Sequence, residues 1–166
     1  MMHVMPISQN KFDPYIVSLP VISMTKGWFE RAVSNPAEKN ITTQIGVHFE
    51  EVAEMIAEIT PLDLETGNAL QDALVAVKHL GEHLKRHGGI EIKPENRIGF
   101  IDAIADQLVT ATGSAHMLGM DPVGALNEVN RSNFSKFDEN GNPIFNENMK
   151  VIKGPNYSKP DLTLFV

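Results

Sequence analysis

The chain has 166 residues, 42% of them hydrophobic and 21% charged, which fits one globular domain able to bury a core of its own. It carries no cysteine and a net charge of −7, which excludes disulfides and thiolate metal sites and argues against a nucleic-acid-binding surface. No apolar run approaches the roughly 18 residues of a membrane span and no basic segment precedes an apolar stretch at the N-terminus, so a cytoplasmic protein is the expectation.

Residues 1–24 hold Pro6, Pro14 and Pro20 and show no clean period, so they read as an irregular arm. Thr25 then caps a short helix containing Trp28, Phe29 and Val33, which ends at Ser34-Asn35-Pro36. Thr42 or Thr43 caps a second helix to about Ile59, stopped by Pro61. A third spans roughly Thr66 to Arg86, with apolar Leu70, Leu74, Val77 and Leu84 and an end signal at His87-Gly88-Gly89. A fourth runs from about Ile98 to Leu118. Asp121 caps a fifth, with Pro122 in its first turn, reaching about Phe137. Asn140-Gly141 is a turn signal, and two short strands near Pro143–Phe145 and Met149–Ile152 would make a hairpin. Residues 154–166 read as an extended strap. The expected architecture is all-α: one domain over 1–166, a helical bundle with a small C-terminal β-hairpin and tail over 138–166.

From Ile41 to Val77 the chain has seven acids (Glu50, Glu51, Glu54, Glu58, Asp63, Glu65, Asp72) and neither lysine nor arginine. At about 100° per residue, Glu50, Glu54, Glu58 and Glu51 all share one face of the second helix, within roughly 100° of each other. Taken alone, such a face is commonly just the wet side of an amphipathic helix. The fourth helix adds a second anomaly. Between Arg97 and Asp121 its only Asp, Glu, Lys or Arg residues are Asp102 and Asp106, in a stretch apolar nearly all round. Such a helix is expected to be buried, and a buried carboxylate needs a partner. Lysine or arginine from elsewhere would serve. A divalent cation shared by the two helices accounts for both anomalies at once, and Mg²⁺ suits hard oxygen donors completed by waters and substrate phosphates. Two such ions would activate water and stabilise the leaving group of a phosphoryl displacement.

Competing motifs fail. His79, His83 and His87 recur every four residues without an H-E-x-x-H pattern, so zinc is disfavoured against a solvated face. Asp138, Asn140 and Asn142 mimic an EF-hand start, but Pro143 stands where the loop needs glycine and Met149 where it ends in glutamate. There is no G-x-x-x-x-G-K-[ST] loop and no serine nucleophile elbow.

The carboxylate pattern resembles that of the all-α NTP pyrophosphohydrolases, the MazG-like superfamily that includes phosphoribosyl-ATP pyrophosphohydrolase and dimeric dUTPases. Their signature is E-x-x-E on one helix and E-x-x-D on a later one. Glu51-Val-Ala-Glu54 matches the first half, with Glu50 preceding it; in the second half Asp106 matches the Asp, Ala103 stands at the Glu position, and Asp102 lies one residue earlier. The run from Glu128 through Asn130, Asn133 and Lys136, followed by Lys153-Gly-Pro-Asn-Tyr157, is similar to the C-terminal block of bacteriophage-encoded members. The resemblance implies hydrolysis of a (d)NTP to the monophosphate and pyrophosphate, Mg²⁺ dependence (Mn²⁺ substituting), and a homodimer or homotetramer whose site borrows residues across subunits. It assigns Glu50, Glu51, Glu54, Asp102 and Asp106 as metal ligands, with Glu50 and Glu51 catalytic. Trp28, Asn130, Asn133, Lys136, Lys153 and Tyr157 are the candidate substrate contacts, set against core packing for Trp28 and a solvated face or tail anchor for the others. Trp28 and the polar Ser18, Ser23 and Thr25 favour a purine deoxynucleotide such as dGTP. The alternatives are a pyrimidine substrate (dCTP or dUTP) and a non-catalytic helical oligomer that keeps the fold.

Overall fold

The computed structural model describes residues 19–166, with the side chains from Val21 on. The first eighteen residues of the expected arm, Ser18 among them, lie outside the described residues. The first helix, α1 (Leu19–Ala32), begins earlier than Thr25. Pro20 falls in its first turn, where the missing N–H is not required by the helix. Val21, Trp28 and Ala32 are buried along one of its faces.

α2 spans Glu38–Ala57. It is not capped by Thr42 or Thr43. Asn40 reaches back from the first turn and accepts the N–H of Ala37 at 3.0 Å, so the helix starts one turn sooner and both threonines become buried interior positions. α3 spans Leu64–His87. Thr66 N–H donates to Asp63 Oδ1 at 2.7 Å, and the helix ends at Gly88 with φ of 67°, a conformation glycine adopts without strain. α2 and α3 form the most extensive helix pair. Their backbones cross at Gly46 and Gly81: a Cβ on Gly46 would stand 2.7 Å from the Gly81 carbonyl oxygen, and one on Gly81 would stand 2.9 Å from that of Gly46.

A 3₁₀ turn at Pro94–Asn96 leads into α4 (Arg97–Met117). The sequence predicts this helix to be buried, yet among the described residues none of its side chains is buried; Ile98 is 83% exposed, Val109 70% and Met117 84%. α4 packs chiefly on its own 3₁₀ turn and on α5, and a side-chain contact between His48 and Gln107 reaches α2. α5 (Pro122–Phe134) starts at Asp121, whose carboxylate accepts the N–H groups of Val123 and Gly124 at 3.1 and 3.0 Å. It stops short of Phe137 and packs against α1. There, buried Asn130 accepts the Thr25 hydroxyl at 2.9 Å and donates to the Val21 carbonyl at 3.1 Å. Phe137 stacks on Trp28 with ring centroids 5.9 Å apart.

The expected C-terminal hairpin does not form. Only a bridge between Phe145 and Val151 appears there, flanked by hydrogen bonds from Asn146 N–H to the Lys150 carbonyl at 3.0 Å and from Ile152 N–H to the Ile144 carbonyl at 2.8 Å, and the pairing goes no further. The tail does behave as a strap along α5. Ser158 N–H donates to Ser135 Oγ at 2.9 Å, Asp161 N–H to Glu128 at 3.0 Å, and Asp121 N–H to the Phe165 carbonyl at 2.9 Å.

The glycine crossing yields a direct expectation. Gly46→Ala forces backbone apart from backbone, so it should lower stability by about 1–3 kcal/mol, as overpacking does. An unchanged urea midpoint would show that α2 and α3 separate freely.

Candidate functional site

The acidic face of α2 is not uniformly bare. Lys85, one turn beyond Gly81 on α3, lays its stem across Gly46 and places its ammonium 2.9 Å from Glu50 Oε1 and 2.8 Å from Glu82 Oε1. Lys150, from the C-terminal tail, reaches Glu50 Oε2 at 3.2 Å. Partial burial works to raise the Glu50 pKa, but hydrogen bonds from the two ammoniums outweigh it and hold the carboxyl below its ordinary value. Burial likewise opposes the charge on Lys85, and its bonds to Glu82 and Glu50 reverse this and raise it. Glu51 behaves oppositely. Desolvation first, then repulsion from Glu54, push its carboxyl above the usual range.

Glu51 lines a cavity of about 700 Å³ between α1, α2, α5, the start of α4 and the tail, together with Trp28, Thr43, Phe100, Asn133, Lys136 and Lys150. Lys136 is half-buried there, and burial, aided by repulsion from Lys150, pushes its ammonium downward while Tyr157 and Glu51 support the charge. The cavity therefore contains an underneutralised carboxylate and an underneutralised ammonium.

The sequence-predicted residues fall into three groups. Glu51, Asn133, Lys136 and Trp28 are brought together at the cavity. Trp28, however, is 8% exposed, donates its indole N–H to the Asn133 carbonyl at 2.8 Å and gives one face to Phe137; that face is closed to a nucleobase. Asn130 also borders the cavity, yet it is 1% exposed and both of its polar side-chain atoms are bonded to α1. Lys153 stacks its ammonium over Tyr157 at 4.6 Å; neither lines the cavity, but both act electrostatically on Lys136, and Tyr157 also on Arg131 of α5. Asp102 and Asp106 sit on exposed α4, and among the described residues no three His, Asp or Glu side chains stand close enough to hold a metal ion. Among the described residues the two carboxylate helices are thus not joined into a metal cluster.

Lys85 and Lys150 were not among the sequence candidates. Lys85 had a signal, since it stands four residues after Gly81 and therefore on the crossing face. Lys150 had none, because the tail that delivers it is irregular.

The fold has a solved counterpart. It is similar to the crystal structure of a protein from Exiguobacterium sp. 255-15 provisionally named an NTP pyrophosphohydrolase, with a TM-score of 0.57 and 19% identity over 84% of this chain and 88% of that one. No protein-family model and no curated protein matches the chain. The likeness shows a shared all-helical fold. No helix among the described residues is long and apolar enough to cross a membrane.

The ion-pair chain sets a pH dependence. Glu50 and Glu82 both have folded pKa values below the ordinary value of 4.5. Their contribution to stability is therefore complete above that value and is lost as pH falls through the lowered ones. In Lys85→Gln the lowering of Glu82 loses its largest cause and that of Glu50 one of its two ammoniums, so the loss of urea stability as pH falls from about 7 to about 3 should be smaller than in wild type. An equal acid loss in both proteins would remove Lys85 as its cause.

Proposed function

We propose that the chain is a (d)NTP pyrophosphohydrolase of the MazG-like type, converting its substrate and water to the monophosphate and pyrophosphate with Mg²⁺ bound. A purine deoxynucleotide such as dGTP is the substrate favoured. The observation that carries the reading is the cavity itself, where Lys136 offers positive charge to phosphate a short way from the acidic face of α2. The shared fold is consistent with it.

The residues fit a hard cation in one respect. Glu51 has a carboxylate whose charge is opposed by burial and by Glu54, and a cation there would relieve both. Glu51 and Glu54 would hold Mg²⁺, which binds proteins through one or two carboxylates with waters and phosphates completing its shell. The bound ion supplies charge neutralisation on the phosphates and a more acidic water. Lys136 and Asn133 would bind the polyphosphate and sugar. Water attacks the α-phosphorus, the bond to the α–β bridging oxygen breaks, and pyrophosphate leaves whole.

The aspartates of α4 join this scheme through a second copy of the chain. Exposed apolar Ile98, Ile101, Leu108, Val109 and Met117 on one helix form the kind of surface that proteins cover by association, so we read the protein as a homo-oligomer in which α4 brings Asp102 and Asp106 toward a partner's acidic helix.

Two measurements test these readings. A panel of NTPs and dNTPs with Mg²⁺ should release pyrophosphate, with ¹⁸O from labelled water appearing in the monophosphate, and Glu51→Gln should lose on the order of 10²-fold or more in turnover. Label in pyrophosphate, or no hydrolysis of any nucleotide, would overturn the assignment in favour of a non-catalytic bundle; faster turnover of dCTP or dUTP would replace the purine alone. Light scattering should give a mass of at least two chains, reduced toward one in a Val109→Glu, Ile101→Glu double variant. A monodisperse single chain in wild type would refute the oligomer.

A further inference from the structure

The reading above leaves Lys150 without a task beyond its bond to Glu50, although it lines the same cavity as Lys136. Its backbone is held firmly. Asn146 Oδ1 accepts the N–H groups of Asn148 and Lys150, each at 3.0 Å, and the Thr43 hydroxyl of α2 donates to the Asn148 carbonyl at 2.8 Å. The Phe145–Val151 bridge closes the other side. The side chain is looser than its counterpart on the same carboxylate: Lys150 is 43% exposed where Lys85 is 12%. A long, flexible ammonium thus pivots on a fixed base, between a carboxylate on one side and an open cavity on the other.

The charges around that pivot are unequal. Glu50 keeps Lys85 as a second cation when Lys150 leaves, so its own charge stays compensated. Lys136 and Lys150 repel one another across the cavity, and a multiply charged anion between them would turn that repulsion into two attractions. A singly charged ligand would not engage both.

We propose that Lys150 is a polyphosphate anchor that Glu50 holds in reserve, exchanging Glu50 for phosphate oxygen when a polyphosphate enters the cavity beside Lys136. This rests on the proposed function and adds to it a specificity-determining residue and a competitor, Glu50, that sets how tightly the anion binds. The exchange also explains why a chain poor in bases places two of its fourteen Lys and Arg residues on one glutamate.

Titration calorimetry with inorganic tripolyphosphate, without added metal, reads the exchange directly. Lys150→Gln should weaken binding about tenfold or more and Lys150→Arg should retain most of it, as expected for a charged contact to phosphate. Glu50→Gln should tighten binding severalfold, and that gain should vanish in the Lys150→Gln background, as coupling between two contacting residues requires. If Glu50→Gln fails to fold, the two Lys150 variants decide the matter. Unchanged affinity in Lys150→Gln, no tripolyphosphate binding by wild type, or a Glu50→Gln gain that persists without Lys150 would each overturn it. Tripolyphosphate has no base or sugar, so the two readings fail separately. Nucleotide hydrolysis with Lys150-independent binding removes the anchor alone, and Lys150-dependent binding without hydrolysis removes the enzymatic reading alone.

Discussion

Lys85 reaches Glu50 because two glycines let α2 and α3 touch. With Gly46 and Gly81 at the crossing, each backbone carbonyl lies where a neighbour's Cβ would otherwise be, and the Lys85 stem occupies the remaining groove over Gly46. The ammonium then emerges among Glu50 and Glu82 at bonding distance. A charge this sheltered is tolerated only when paired, and removing one member leaves the other exposed to the full cost of desolvation. The crossing therefore determines the state of Glu50, and Glu50 in turn determines where Lys150 rests. Side chains and main chain from α2, α3 and the tail are coupled through a single carboxylate.

That coupling divides an acidic face that looks uniform in one dimension. Glu50 is ionised and compensated, whereas Glu51, one residue on and rotated by about 100°, is pushed toward neutrality by burial and by Glu54. Adjacent carboxylates on one helix thus hold different amounts of unsatisfied charge. The cavity places the unsatisfied one near Lys136, whose own charge is disfavoured by burial. Groups of opposite sign whose charge is opposed by their surroundings, gathered at one cavity, mark a candidate functional site.

α4 poses the complementary problem. Much of its apolar surface stays exposed among the described residues, and a cavity of about 920 Å³ lined by Ile41, Ile45, Ile90, Ile92, Phe100 and Ile101 opens between it and α2. Water against that much hydrocarbon is unfavourable by roughly 25 cal/mol for each Å² exposed. The same helix carries Asp102 and Asp106, so whatever surface covers its apolar side will also decide the surroundings of those two carboxylates.

The helices, their order and several of their ends were legible in the residues. Asp121 caps as a short acceptor does, Gly88 ends α3 in a conformation that favours glycine, and a helical period runs through Leu70, Leu74, Val77 and Leu84, although α3 starts two residues before Thr66, capped by Asp63. These are local effects, decided within one or two turns. The start of α2 was misread because Asn40 caps it from inside the first turn, and the hairpin because its pairing stops after a single bridge. Glu51, Asn133 and Lys136 were identifiable as site candidates by residue type and spacing. Their meeting with Lys150 was not, because the tail makes that contact across 100 residues of chain, through Thr43 and an irregular turn. Nor does hydrophobicity say which surface will cover an apolar helix: it measures the gain from leaving water, and that gain is the same whether the covering atoms belong to the chain itself or to another copy. Composition and period determined that α4 is apolar and that α2 is acidic; only the tertiary structure decided that much of α4 stays exposed among the described residues and that Glu50 is held by two lysines.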